Sequence, residues 1–301
     1  MQQRTVGMNR DNLPAVRVPA STSNLGSGFD CVGLALDIWL HAEIVVGEGD
    51  PVYSGAMEGF DPERDYAAQE IVDILPPGYQ LSMRSDIPVC RGLGSSAAAI
   101  VAGRSLSMLI AEGHVDYERV FEHANDMEGH PDNAGPAVYG GLFLSADSPR
   151  KLRFHSELGV AVAIPEQTLS THEARDILPS QLSRGDTISQ ASRSAALLLG
   201  LTNGDGDLIR QGMVDHIAVP VRKPLIKGYD EAVQAALETG AFGATISGAG
   251  TTIVAICPKG SAEPVARAME SAFKRSGSPA YGLCPDVAET GLEVLGGSVS
   301  T

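Results

Sequence analysis

Residues 88–99 read Pro-Val-Cys-Arg-Gly-Leu-Gly-Ser-Ser-Ala-Ala-Ala, a glycine loop that runs straight into an apolar helical stretch. Gly92 and Gly94 permit a tight turn and leave no side chain in the way of a ligand. Ser95 or Ser96 is placed to cap a helix that continues through Ala97, Ile100, Val101, Leu106 and Ile110. A helix that starts in such a loop offers free backbone N–H groups and the positive end of its dipole, which suits a phosphate. The plainer reading is a loop-to-helix corner, and a short glycine pattern alone does not separate the two.

The rest of the chain limits what an anion site here can serve. A length of 301 residues suggests about two domains. Hydrophobic residues make up 43% and charged residues 20%, as in an ordinary globular protein with a sizeable core. No run approaches the roughly 18 apolar residues of a membrane span, so no membrane partner is expected. The N-terminal MQQRTVGMNRDNLP is polar and lacks an apolar signal segment, and the expectation is a cytoplasmic protein. Cys31, Cys90, Cys257 and Cys284 form no C-x-x-C pair, which points to reduced structural thiols and away from a zinc site or disulfide framework. With 22 basic against 37 acidic residues the net charge is −15, which argues against a nucleic-acid partner. A small anion would have to be met locally by backbone amides, a few arginines or a metal.

Periodicity gives an alternation of strands and helices. Ala15–Ala20 alternates and is β-branched, hence a strand, and a polar glycine loop from Ser21 to Asp30 follows it. Cys31–Val46 reads as one long or two paired strands, Tyr66–Leu75 as a short helix, and Gln80–Ser85 as the strand before the glycine loop. A helix is expected over about Asp116–Met127, interrupted by Glu128–Asn133, with strand character resuming at Gly140. Beyond Glu157 the pattern predicts a strand over Gly159–Ile164 and helices over Thr171–Leu178, Asp186–Leu199 (capped by Asp186), Asp207–Met213 and Leu225–Leu237. Two strands around a Gly248-Ala249-Gly250 turn, a helix over Ala262–Lys274 and a strand over Ala280–Leu283 complete an α+β half.

Three phosphate-loop chemistries compete for residues 88–99. A Walker loop needs a lysine after its second glycine, and none is present. Gly92-x-Gly94-x-x-Ala97 fits the dinucleotide fingerprint, and Glu112 stands twenty positions after Gly92. Glu112 lies at the end of the same helical run, however, so no βαβ unit can be drawn. The third option is carried by more of the chain. Pro88-x-x-x-Gly92-Leu93-Gly94-Ser95-Ser96-Ala97 resembles the phosphate loop of the GHMP small-molecule kinases. Val18-Pro19-Ala20 with Asn24-Leu25-Gly26-x-Gly28-Phe29-Asp30 resembles the first motif of that superfamily, and Ile246-Ser247-Gly248-Ala249-Gly250 its third. Within it the match is closest to the homoserine kinases. Glu128-Gly129-His130-Pro131-Asp132-Asn133, Thr171-x-Glu173-Ala174-Arg175 and Asp215-x-Ile217-Ala218-x-Pro220-x-Arg222 are similar to segments of that family. Ser21, Ser23, Val221 and Thr251 depart from its pattern, and Asp65–Ile71 lacks the N-L-V-like element that family members carry between the first two motifs.

The resemblance implies a two-domain α+β GHMP kinase fold. An N-terminal α/β phosphate-loop domain would span 14–157 and a C-terminal ferredoxin-like domain 158–297, with substrate between them. The implied reaction is transfer of the ATP γ-phosphoryl group to the hydroxyl of L-homoserine, in threonine biosynthesis, by an enzyme commonly homodimeric. Pro88, Arg91, Gly92, Leu93, Gly94, Ser95, Ser96 and Ala97, with Gly248 and Gly250, would bind nucleotide. Mg²⁺ takes hard oxygen ligands, and Ser96 and Glu128 are the implied donors, with Glu122 a rival eight residues before His130. Arg175 and Arg222 would fork onto the carboxylate of the amino acid. Asn24 and Asp30 would hold its ammonium group, although an Asn in such a loop also stabilises turns unaided. His130 is expected at the substrate, and Asp132 is the candidate catalytic base beside it. A GHMP kinase for threonine or mevalonate and a non-catalytic paralogue are the competing readings.

Overall fold

A computed structural model describes residues 12–147 and 149–297. The polar leader therefore lies mostly outside the described residues. Among those described, no helix is long and apolar enough to cross a membrane.

Two sheets organise the chain. The first has 7 strands, with β11 (Glu293–Gly296), β1 (Ala15–Ser23), β2 (Val32–Val46), β4 (Tyr79–Ser85) and β3 (Val52–Gly55) side by side. The short strands β5 (Leu142–Leu144) and β6 (Arg150–Leu152) continue from β2. The second has 4 strands in the order β10 (Ala280–Leu283), β7 (Leu158–Pro165), β9 (Ile253–Pro258), β8 (Gly243–Ile246). All its pairs are antiparallel. Helix α9 (Tyr229–Glu238) precedes β8, and α10 (Ala262–Arg275) joins β9 to β10. That order and those crossovers make the ferredoxin-like arrangement. The expected 158–297 half nevertheless gives its last strand to the first sheet, where β11 pairs with β1.

The eight residues of β7 are all buried, because its two faces serve two cores. Val160, Val162 and Ile164 join the core built on the first sheet, while Ala161 and Ala163 join the one under α9 and α10. β9 is shared the same way, with Val254 and Ile256 on one side and Ala255 and Cys257 on the other. A strand buried on both faces reads as a continuous apolar run and loses the period-2 alternation. The packing also fixes the cleft between the sheets, since neither half can turn without opening a core.

The helices of the first half are α1 (Tyr66–Ile71), α2 (Ser95–Glu112), α3 (Tyr117–Glu128) and α4 (Pro131–Tyr139). Helix α2 packs against α1, β1, α3 and α4 and is buried on nearly every turn, as its apolar composition requires. The sequence predicts no helix at α4, only an interruption over Glu128–Asn133 before the strand at Gly140. Pro131 occupies the first helical position, where its missing N–H is harmless. Pro136 leaves the Asp132 carbonyl without its helical donor, and that carbonyl packs so closely on Gly33 that a Cβ there would lie 1.8 Å from it.

In the second half α5 (Thr171–Asp176) starts at a Ser170–Glu173 capping box. Then come α6 (Arg184–Asn203), α7 (Gly206–Gly212) and the single turn α8 (Val219–Arg222). Ser183, not Asp186, caps α6, accepting from the Asp186 N–H at 3.1 Å. The periodicity also missed α8, which is too short to show a pattern.

Candidate active site

The glycine loop is pinned between β1 and the 247–250 turn. Ser21 N–H donates to Leu93 O at 3.1 Å, and the Ser247 hydroxyl donates to Gly92 O at 2.6 Å. A Cβ on Gly92 would lie 2.1 Å from Ser247 O, and one on Gly94 would lie 2.1 Å from Ser21 Oγ. Both glycines have positive φ, +77° and +68°. The turn touches the first motif as well, with Gly248 N–H donating to Ser23 O at 3.1 Å and Asn24 Nδ2 to Gly248 O at 3.0 Å. The three sequence motifs are thus one hydrogen-bonded body.

Gly94 is the N-cap of α2 and supplies no side-chain cap. This corrects the expectation that Ser95 or Ser96 caps the helix. Those serines occupy its first two helical positions, so the opening amides of an 18-residue helix are left to a ligand. The Ser96 hydroxyl instead donates to Glu128 Oε1. Glu128 reaches it because α3 stops there: Gly129 takes a left-handed conformation at φ +76° and turns the chain into α4. Burial pushes the Glu128 carboxyl above its ordinary pKa, opposed by the Ser96 hydroxyl. A hydroxyl and a carboxylate in contact are a hard-oxygen donor set, which fits Mg²⁺. Glu122 is exposed on α3.

One residue past Gly129 stands His130, 6% exposed. Its Nδ1 lies 2.5 Å from Asp132 Oδ1, and Asp132 is 1% exposed. Burial lowers the imidazole pKa, but the hydrogen bond to Asp132 and its charge outweigh burial and hold it above the ordinary value. Nε2 is buried without a hydrogen-bond partner at the cleft wall. Asp30, His130 and Asp132 bring ligand atoms within 4.8 Å of one another, although Asp30 is already engaged. The Arg175 guanidinium forks onto its carboxylate at 2.8 and 3.3 Å.

Arg222 is 3% exposed. Its Nε donates to Ala174 O at 2.9 Å and its other arm to Gly248 O at 3.1 Å, and the guanidinium lies 5.7 Å from the Phe29 ring. Burial and the neighbouring Arg175 charge both lower its pKa. In a chain of net charge −15, two arginines close enough to repel each other make a local seat for an anion. Among the described residues Arg222 forms no salt bridge, and its two hydrogen bonds go to backbone carbonyls.

These groups line one cleft with the loop glycines. Its free volume is about 90 Å³, far below the roughly 300–1,000 Å³ of drug-sized pockets, a scale that suits a small alcohol. Asn24, Asp30, Gly92, Gly94, Ser95, Ser96, Glu128, His130, Asp132, Arg175, Arg222 and Gly248 are all on its wall. Pro88, Leu93, Ala97 and Gly250 are buried off the wall and support the loops. Arg91 donates to the carbonyls of Val89, Pro165 and Glu166 and is not among the residues on the cleft wall. Sequence reasoning missed Cys90, Leu169 and Thr171 on the wall, of which Thr171 opens the matched Thr-x-Glu-Ala-Arg segment. Asn133, which closes the matched 128–133 segment, is also on the wall, and its amide bridges the Ser21 and Ser23 hydroxyls at 2.8 and 3.1 Å.

The family model described as GHMP kinases N terminal domain matches residues 62–141, and GHMP kinases C terminal matches residues 196–275. A homoserine kinase of Moorella thermoacetica is 39% identical over 279 residues, covering 88% of this chain and 94% of that one. One of Trichormus variabilis is 37% identical, covering 87% and 92%. The crystal structure of homoserine kinase from Cytophaga hutchinsonii superposes with a TM-score of 0.83 at 27% identity, over 96% of this chain and 99% of that one. Mevalonate kinase of L. major, at 15% identity and a TM-score of 0.64, shares the fold. With relatives of this identity matched along nearly their whole length, and with the family's motifs converging on one cleft, the chain belongs to the homoserine kinases of the GHMP kinase family.

Proposed function

We propose that this protein transfers the γ-phosphoryl group of ATP to the side-chain hydroxyl of L-homoserine, giving O-phospho-L-homoserine for threonine biosynthesis. The observation that carries the reading is one small cleft with two unlike ends. One end is the uncapped start of α2 with Ser96 and Glu128, and the other is the pair Arg175 and Arg222 beside Asp30.

Phosphoryl transfer needs alignment and charge neutralisation more than covalent chemistry. The amides of Ser95 and Ser96 take the phosphates, and Ser96 and Glu128 would hold Mg²⁺. When bound, that ion neutralises charge on the phosphate oxygens. The substrate carboxylate is received by Arg222, already desolvated, and by Arg175, which shifts part of its fork from Asp30. The freed Asp30 carboxylate accepts the ammonium group, with Asn24 holding the Asp30 backbone at 2.9 Å. Asp132 fixes the His130 ring so that Nε2 faces the substrate, and this dyad is the candidate for handling the hydroxyl proton.

The test is ADP release with Mg-ATP against homoserine, threonine, mevalonate and galactose. The expected result is release with homoserine well above the other three. Release with another alcohol and none with homoserine would give the protein a different substrate. Silence with all four would make it a binding protein.

A further inference from the structure

One buried amide joins the loop that carries Asn24 and Asp30 to the turn that carries Arg222. Gln190 lies on α6 and is 8% exposed. Its Nε2 donates to Ser27 O at 3.2 Å and to Asp215 Oδ1 at 2.9 Å, while its Oε1 accepts from the His216 N–H at 3.0 Å. Each partner leads to one side of the site. Ser27 sits midway between Asn24 and Asp30, and its hydroxyl donates to Gly212 O at 2.5 Å, which ties the loop to the end of α7. Asp215 accepts from Ile217 N–H at 3.0 Å, Ala218 N–H at 2.7 Å and Val219 N–H at 2.6 Å, so it sets the start of α8. Arg222 is the last residue of that turn.

We infer that Gln190 is a positioning residue for the amino-acid substrate, holding the ammonium-side loop and the carboxylate-side arginine at a fixed separation. The inference rests on the functional reading above. The two charges of an α-amino acid are a fixed short distance apart, so a zwitterion engages both ends only if the protein keeps that spacing. Misplacement by about 1 Å is enough to weaken such a site severely. The amide suits the task because it is neutral and supplies donors and an acceptor together. It bonds a carbonyl, a carboxylate and an N–H without adding charge to a buried position.

The experiment is steady-state kinetics of Gln190→Met, which keeps the length and removes all three bonds. Homoserine KM is expected to rise about tenfold or more, the scale of losing one or two buried hydrogen bonds. ATP KM should stay within about twofold, and kcat should fall less than homoserine KM rises. Gln190→Glu is the second variant, isosteric and lacking both donations, and it should show the same split if Gln190→Met folds poorly. Equal rises in both KM values, or loss of kcat with homoserine KM unchanged, would mean a merely structural role and overturn the inference. The wild-type protein runs alongside. If it releases no ADP with homoserine, the functional reading fails first and takes this inference with it.

Discussion

Arg222→Ala raises homoserine KM by about 10²-fold or more while ATP KM changes little. Truncating one partner of a buried, hydrogen-bonded charge pair costs roughly 2–5 kcal/mol of binding, and Arg222 is nearly fully buried at the cleft wall. The variant is also less stable. Ala174 O loses its donor while Gly248 O keeps only Asn24 Nδ2, and a buried unsatisfied group costs about 1–3 kcal/mol. Arg222→Lys keeps the charge but loses the planar fork and should fall between. Arg175 separates the two effects. Its pair with Asp30 is about one-third exposed on each side, 34% and 31%, so the intact pair contributes only about 0–1 kcal/mol to stability. Arg175→Ala should therefore melt near the wild-type temperature and still raise homoserine KM far more than ATP KM. Kinetics with both substrates varied, alongside thermal melts, checks all three variants. Equal rises in the two KM values would remove either arginine from the carboxylate.

Glu128→Gln lowers kcat by about 10²–10³, with homoserine KM little changed. The amide keeps the shape and a contact with Ser96 but loses the charge that a cation on the transferring phosphoryl group requires, an effect of several kcal/mol. Raising Mg²⁺ should restore part of the rate. Glu122→Gln is the control, since that side chain is exposed on the flank of α3. It should turn over at the wild-type rate. A loss in Glu122→Gln with Glu128→Gln active would move the cation site to the rival carboxylate.

The sequence exposed the site more fully than it exposed the fold. Gly92 and Gly94 were readable because only a residue without a Cβ fits 2.1 Å from Ser247 O and Ser21 Oγ, and such constraints leave short, ordered motifs. Arg175 and Arg222 were readable because they stand inside matched segments of an acidic chain. Arg91 stands inside such a segment too, yet its role depends on where the end of β7 lies, which no local pattern records. Helix α4 was hidden because Pro131 and Pro136 are breakers by propensity, and only the place of Pro131 at the first turn and the packing of Asp132 O on Gly33 make them compatible with a helix. β11 was hidden because its partner lies at the opposite end of the chain. Gln190 looks like any polar residue on a helix. Its meaning comes from Ser27 and Asp215, brought to it by tertiary packing.

The account stands or falls on where the phosphoryl group goes. The direct measurement is ³¹P NMR and mass spectrometry of the product formed from Mg-ATP and L-homoserine, followed by treatment with hydroxylamine. The predicted result is one phosphate monoester on the side-chain oxygen per ADP, stable to hydroxylamine. A hydroxylamine-labile acyl phosphate, or free phosphate with homoserine recovered unchanged, would contradict it.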